Sequence, residues 1–214
     1  MDYAKNKKYF APSNVKTGVI VLIVGIILLA VQPILGIIVA AVGGLLIYLA
    51  VGGRPSDSDI DAAVNSQLSN LQQRALNKLG LDIEEVKEIA PISFHGYDYK
   101  GALVKQGKDN LYRSSKYEAV MFFFAADDVH CYTYNFSITE DWHRDSTDVY
   151  FYKDLVSVST QTDNMTVGTL KFDYEYFKLT TAGGTSISCN VRNANDSQRS
   201  INAMRQLILA KKRS

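Results

Sequence analysis

The side chains best suited to acid–base, metal or nucleophilic chemistry are few and widely spaced. The three histidines are His95, His130 and His143, and no two of them stand at a spacing typical of metal ligands. The two cysteines, Cys131 and Cys189, are far apart, and each is predicted to be a small buried residue of a strand. No glycine-rich phosphate loop and no G-x-S-x-G motif occurs. The sequence therefore predicts no catalytic, metal or cofactor site, and we expect no enzyme activity.

The segment Asp141-Trp142-His143-Arg144 contains the only tryptophan of the chain, in a predicted polar loop. An exposed Trp can contact a partner or a membrane surface, and it can equally fold back over its own domain. Trp142 and His143 are therefore candidate contact residues. A hydrolase site built from Asp141, His143 and distant groups is the weakest functional hypothesis.

A second candidate group consists of basic residues that precede the first long predicted strand: Lys105, Lys108, Arg113 and Lys116. Beside a membrane they could contact anionic headgroups, each contributing roughly 1 kcal/mol. The alternative is that they are solvated loop charges. Residues 55–214 carry 18 basic and 21 acidic residues, so a nucleic-acid partner is not expected.

One long apolar run determines where these residues can lie relative to a membrane. No charged residue occurs between Gly18 and Gly53. The run of about 36 residues is too long for a signal peptide and for one straight span, which needs roughly 20. Gln32-Pro33 divides it into halves at about Val15–Val31 and Ile34–Gly52, since proline interrupts a helix. The sequence predicts a transmembrane helical hairpin. One tilted, Pro-kinked span is the alternative, and a core helix is disfavoured by the absence of a polar face.

The charges that flank the run predict its orientation. Residues 1–54 carry five basic residues and one acidic residue, and the basic ones lie before the first half and just after the second. By the positive-inside rule both termini are expected in the cytoplasm of a multi-pass protein of the cell membrane. Gly25, Gly36, Ala40 and Gly44 are predicted to pack helix against helix, within the hairpin or between copies of the chain.

The remaining chain predicts an α+β domain. A helix from about Asp57 is expected to end at Gly80, a second short helix to follow Asp82, and strands to begin near Ile92. A hairpin is predicted around Ala126–Asp128, a polar loop at residues 140–148, and a strand bent near Lys153-Asp154. Ala182-Gly183-Gly184 predicts another hairpin, and residues 196–213 an amphipathic helix.

This order resembles a bacterial-type pleckstrin-homology-like (PH-like) domain over roughly Tyr112 to Lys212. The resemblance rests on the bent strand "VYFYKDLVSVST" and on the hairpin "FKLTTAGGTSISCNV" that leads into the closing helix. It implies a β-barrel of about seven strands closed by the C-terminal helix, used for binding or scaffolding. The expected organisation is a cytosolic basic N-terminus (1–16), a transmembrane hairpin (17–53), a helical linker (54–92) and a PH-like domain (93–214).

Two functional hypotheses remain beside the hydrolase. The favoured one is an integral membrane protein whose cytosolic PH-like domain recruits another protein, or a second copy of itself, at the bilayer. The alternative is a small subunit of a transport or channel assembly, in which the Gly/Ala face joins the helices of different chains.

Overall fold

The computed structural model describes residues 1–13, 15–192 and 194–213, without the side chains of residues 194–196. It is an α+β structure in which helices precede three β-sheets and one long helix follows them. The helices are α1 (Tyr3–Phe10), α2 (Val15–Leu29), α3 (Pro33–Val51), α4 (Asp57–Leu68), α5 (Leu71–Leu79) and α6 (Ala194–Lys211). The strands are β1 (Ile92–Asp98), β2 (Val104–Gln106), β3 (Tyr112–Ser114), β4 (Lys116–Phe124), β5 (Asp128–Ser137), β6 (His143–Phe151), β7 (Leu155–Val167), β8 (Leu170–Thr181) and β9 (Ser186–Val191).

The apolar run forms two helices that pack side by side in opposite directions. Pro33 is the first residue of α3, where its missing N–H is tolerated, and Gln32 before it is extended. At 1.5 Å per residue, α2 is about 22 Å long and α3 about 28 Å. Among the described helices, Pro33–Val51 is by itself long and apolar enough to cross a membrane. Val15–Leu29 reaches that length only together with Tyr3–Phe10, from which it is bent by 65°.

The strands form an antiparallel sheet of order β1-β4-β5-β6, a second of order β7-β8-β9, and a small β2-β3 pair. None of these sheets closes into a barrel, so the closed barrel that the resemblance implies does not form in the described structure. The two larger sheets approach each other where β1 runs beside β9. There the Arg192 N–H donates to the His95 carbonyl (3.1 Å), and a Cβ on Gly96 would lie 2.5 Å from the Asn190 carbonyl oxygen.

The central strand β4 of the four-stranded sheet is buried on both faces, which explains its continuous apolar sequence. One face packs on α1, α4 and α5 through residues that include Tyr9, Ile60, Val64 and Ala75. The other face packs on the three-stranded sheet and on α6, with Phe177, Ile201 and Met204 in the core. The segment predicted as a linker, residues 54–92, is therefore one layer of the folded domain.

The structure departs from the predicted elements at three places. The helix expected from Asp57 to Gly80 breaks at Ser69-Asn70 into α4 and α5. The expected helix after Asp82 is a single 3₁₀ turn, Ile83–Glu85, after which the Glu88 N–H donates to the Phe124 carbonyl (3.2 Å).

The predicted loop at residues 140–148 contains the start of an edge strand, since β6 begins at His143. Most side chains of β6 are exposed, which accounts for its polar composition. The expected bend near Lys153-Asp154 is a 3₁₀ turn, Tyr152–Asp154, where the chain passes from one sheet to the other.

Candidate functional site

The two apolar helices contact each other through small residues. A Cβ on Gly25 would overlap the backbone of Ala40, and a Cβ on Gly36 would lie 2.5 Å from the Leu29 amide nitrogen. Three of the four predicted packing residues thus lie at the contact. Gly44 does not, because no atom of the described residues outside the surrounding turns of α3 stands within 4 Å of the position of its missing Cβ. Its neighbour Gly43 occupies the contact instead, against the backbone of Leu22.

The outer surface of this helix pair is apolar and uncovered. Ile27 and Ile37 are 64% and 63% exposed, and Ile34 at the tip is 79% exposed. Soluble proteins rarely expose contiguous apolar patches larger than a few hundred Å². Such a surface indicates that something outside the chain covers it.

Arg113 is a buried structural residue, which corrects its prediction as a partner or membrane contact. Its side chain is 2% exposed, and its guanidinium donates to both carboxylate oxygens of Asp61 and of Asp109 at 2.7–3.0 Å. The two carboxylates use four of the five N–H donors of the guanidinium, and protein encloses the side chain, so a lipid headgroup cannot reach it. Arg113 instead joins α4 to β3 and to the turn before β3.

Asp61 is the centre of this ion network. It also accepts a hydrogen bond from the Tyr97 hydroxyl (2.8 Å) and pairs with Arg192 (2.7 Å). Burial acts to raise the pKa of Asp61, but the hydrogen bonds from Arg113 and Tyr97 outweigh it and hold the pKa below its usual value. The Arg113 hydrogen bonds likewise lower the pKa of Asp109. Both carboxylates are therefore ionised and structural at neutral pH.

The other predicted basic residues have different surroundings. The Lys105 ammonium donates to the Tyr9 carbonyl (3.1 Å) and lies 3.9 Å from the centre of the Tyr9 ring. Lys108 is exposed, and its backbone N–H donates to Asp57 (2.8 Å). The Lys116 ammonium donates to the Lys100 carbonyl (3.0 Å), which ties it to a neighbouring turn. Lys105 and Lys108 lie close to the ends of α2 and α3, since they line a cavity with Val15 and Val51.

Trp142 and His143 lie at the start of β6, away from that cavity. Trp142 is half-buried, with the Arg144 guanidinium 5.9 Å from its ring, and His143 is exposed beside the Tyr134 ring. Asp141 accepts a hydrogen bond from the Tyr3 hydroxyl (3.0 Å). In the part of the chain that the structure describes, no hydrogen bond joins Asp141 to His143. The geometry therefore gives no support to a hydrolase at this segment.

A concave surface lined by tyrosines lies where β1, β3, β8 and β9 meet. Two adjoining cavities of about 390 and 250 Å³ share Tyr99, Tyr174 and Asn190, and we call them together the tyrosine cleft. Phe172 lies beneath the rings, stacked on Tyr112 (4.1 Å between centroids) and edge-on to Tyr99 (4.9 Å). The partly exposed tyrosines combine an apolar ring with a polar tip, which suits binding.

Sequence reasoning missed this cleft. Its signal is the alternation of aromatic and charged residues in "YDYK" and "FDYEYF", where one face of each strand carries rings. The two stretches are separated by more than 70 residues, and only the approach of the β7–β8 hairpin to β1 and β3 brings the rings together.

Charged groups line the two halves of the cleft differently. The first half contains Arg192 with Asp173 and Glu175, and the second contains Lys100 and Lys178 with three acidic residues. One of these is Glu118, whose carboxylate accepts a hydrogen bond from the Asn190 N–H. Burial raises the pKa of Glu118 to about 7, against the lowering effect of that hydrogen bond.

The described residues contain no group of three or more His, Cys, Asp or Glu side chains that could hold a metal ion. Cys131 and Cys189 are buried at 0% and 1% exposure, as predicted for small core residues, and burial raises the pKa of both thiols. The polar chemistry of the molecule is thus concentrated in the ion network, the tyrosine cleft and the cavity beside the apolar helices.

Comparison with protein-family models, with curated proteins and with solved structures finds no match for this chain.

Proposed function

We propose that the protein is an integral membrane protein whose α2–α3 hairpin holds a PH-like binding domain at the inner face of the membrane. The observation that carries the proposal is the apolar surface of the hairpin. Most glycines of the two helices lie in the contact between them, so the large aliphatic side chains point outward and are exposed among the described residues. A lipid bilayer is the environment in which that surface is stable.

The flanking charges support the orientation. Lys5, Lys7, Lys8 and Lys16 precede or begin α2, Arg54 follows α3, and the tip between the helices carries no charge. Under the positive-inside rule both termini lie in the cytoplasm. The PH-like assignment is supported by the order of four antiparallel strands, three further strands and a closing helix that packs between them.

The domain is proposed to recruit a partner through the tyrosine cleft. The cleft offers partly exposed rings and charges of both signs, which suit a polypeptide segment better than a single small ion. The alternative of a transport or channel subunit has less support, because Gly25, Gly36 and Ala40 form the contact between α2 and α3 of one chain. Of the four predicted packing residues, only Gly44 lies outside this contact in the described structure.

Lysine substitutions test membrane insertion. The variant Ile23→Lys/Val42→Lys places two charges near the middle of α2 and α3, on side chains that are 51% and 47% exposed, and each costs about 2.5–3.5 kcal/mol at the centre of a bilayer. The matched control Val149→Lys/Val156→Lys changes residues of similar exposure, 51% and 62%, on the domain. We expect the wild-type chain and the control to stay in the membrane pellet after alkaline carbonate extraction, and the hairpin variant to be lost from it. Equal behaviour of the two variants would contradict the proposal.

A photo-crosslinker tests the cleft. Leu111 lies on its rim and is 54% exposed, whereas Val149 on β6 is 51% exposed and lies outside it. A crosslinking residue at position 111 is expected to give a discrete adduct in cells, and one at position 149 is not. The adduct should weaken when Tyr174 is replaced by Ser. Adducts of equal yield at both positions, or none at 111, would refute partner binding in the cleft.

A further inference from the structure

The largest described cavity lies where the apolar helices join the domain. Its volume is about 880 Å³, and it is lined on one side by Val15, Ala50 and Val51, which are the first residue of α2 and the last two of α3. On the other side it is lined by Arg54, Lys105 and Lys108. Apolar helix ends and cations thus face one space.

Among the described residues, none of Arg54, Lys105 and Lys108 has a carboxylate oxygen within 4.0 Å of its charged nitrogens. The Arg54 guanidinium donates to the carbonyls of Ala11 (2.8 Å) and Pro12 (2.6 Å), which holds it at the junction. Lys105 is held by the Tyr9 carbonyl and ring.

The carboxylates that also line the cavity are already engaged. Asp57 accepts from the Tyr9 hydroxyl (2.7 Å) through one oxygen and from the Lys108 N–H (2.8 Å) through the other. Asp61 and Asp109 are paired with the buried Arg113. The donors to Asp57 are neutral, so its one negative charge stands against the three cations and the balance is positive. Burial lowers the pKa of Lys105 against the opposing effect of Asp57. An anion that entered the cavity would relieve this unbalanced charge.

We propose that this cavity binds the headgroup of an anionic phospholipid, with the phosphate beside Arg54, Lys105 and Lys108 and the glycerol and acyl chains along Val15, Ala50 and Val51. The proposal rests on the proposed function, because only a hairpin in the bilayer brings lipid to this cavity. A soluble phosphate compound would satisfy the cations but would leave the apolar side of the cavity uncovered.

The test uses the full-length chain in nanodiscs made of phosphatidylglycerol and phosphatidylcholine. Lipid that stays bound after release into detergent is measured by native mass spectrometry. The wild-type chain is expected to retain phosphatidylglycerol preferentially. The variant Lys105→Gln/Lys108→Gln should lose roughly 30-fold of that preference, at about fivefold per lysine. The control Lys153→Gln/Lys212→Gln removes the same charge from residues that do not line the cavity, and it should retain the preference.

Each other outcome counts against the site. Equal loss in both double variants indicates attraction by net charge alone and overturns the proposal. A shift of bound lipid by inorganic phosphate at millimolar concentration would reassign the site to a soluble phosphate. A chain that enters nanodiscs but retains both lipids equally refutes this inference and leaves the proposed function standing, whereas a chain that fails to enter them contradicts the proposed function itself.

Discussion

Glu118 is predicted to make the folded chain less stable as the pH rises. Its carboxylate lies in the tyrosine cleft, where burial raises its pKa from 4.5 to about 7. The folded state therefore holds this proton more tightly than the unfolded state does. Stability is fully retained below pH 4.5, falls between pH 4.5 and 7, and stays lower above pH 7. A shift of that size corresponds to roughly 3 kcal/mol.

The substitution Glu118→Gln removes the titration and keeps the geometry. The amide oxygen can still accept from the Asn190 N–H, and the side chain stays neutral at every pH. The variant is expected to match the wild-type chain at pH 4 and to exceed its free energy of unfolding at pH 8 by up to about 3 kcal/mol.

The assay is denaturant unfolding of the full chain in detergent at a series of pH values, followed by the fluorescence of Trp142, the only tryptophan. Because all other titrating groups are shared, the difference between the two chains reports Glu118 alone. A difference that does not change between pH 4 and pH 8, or a wild-type chain that is the more stable at pH 8, would refute the burial argument.

Three further substitutions test packing at separate places. Gly43→Leu should push α2 and α3 apart and destabilise the hairpin by about 1–3 kcal/mol, measured by thermal unfolding in detergent. The control Gly44→Leu places its side chain away from the contact and should not destabilise the hairpin. Equal effects of the two substitutions would count against the contact. Arg113→Met should cost roughly 3 kcal/mol in denaturant unfolding, because Asp61 loses its main partner, and a neutral result would contradict the ion network. Gly96→Ala should cost about 1–3 kcal/mol by forcing β1 from β9, and wild-type stability of that variant would show that the sheets do not approach so closely.

The sequence predicted those elements whose signal is local. The strands on either side of Ala126-Asp127 and the hairpin at Ala182–Gly184 are confirmed, because turn residues and apolar strands mark them along the chain. Gly80 ends α5 at φ 69°, a backbone conformation that favours glycine. The division of the apolar run at Pro33 follows from the covalent geometry of proline alone.

The sequence did not predict features that depend on long-range contacts. The strand at His143–Phe151 is polar because it is an edge strand, and a polar stretch that contains Asp and Ser is easily taken for a loop. Arg113 is buried because Asp61, 52 residues earlier in the chain, neutralises it. Nothing in the spacing of the two residues indicates that α4 packs on the sheet.

The candidate sites show the same division. Lys105 and Lys108 could be selected from the sequence as basic residues near a membrane segment, but the sequence does not show that they share a cavity with Val15 and Val51. The tyrosine cleft was missed entirely, since its rings come from strands in three different sheets. Gly43 and Gly44 are adjacent and differ only in the side of α3 on which they lie. Which side contacts α2 depends on both helices, so the sequence of α3 alone does not distinguish the two glycines.

In the proposed topology the hairpin crosses the membrane and the domain lies on the cytoplasmic side. The most direct measurement is the labelling of single introduced cysteines at Ser13, Gln32 or Ser146 in intact cells with a membrane-impermeant thiol reagent. Cys131 and Cys189 are buried, so the signal comes from the introduced residue. This topology predicts labelling of Gln32→Cys from outside, and labelling of Ser13→Cys and Ser146→Cys only after permeabilisation. Labelling of Ser146→Cys in intact cells would contradict it.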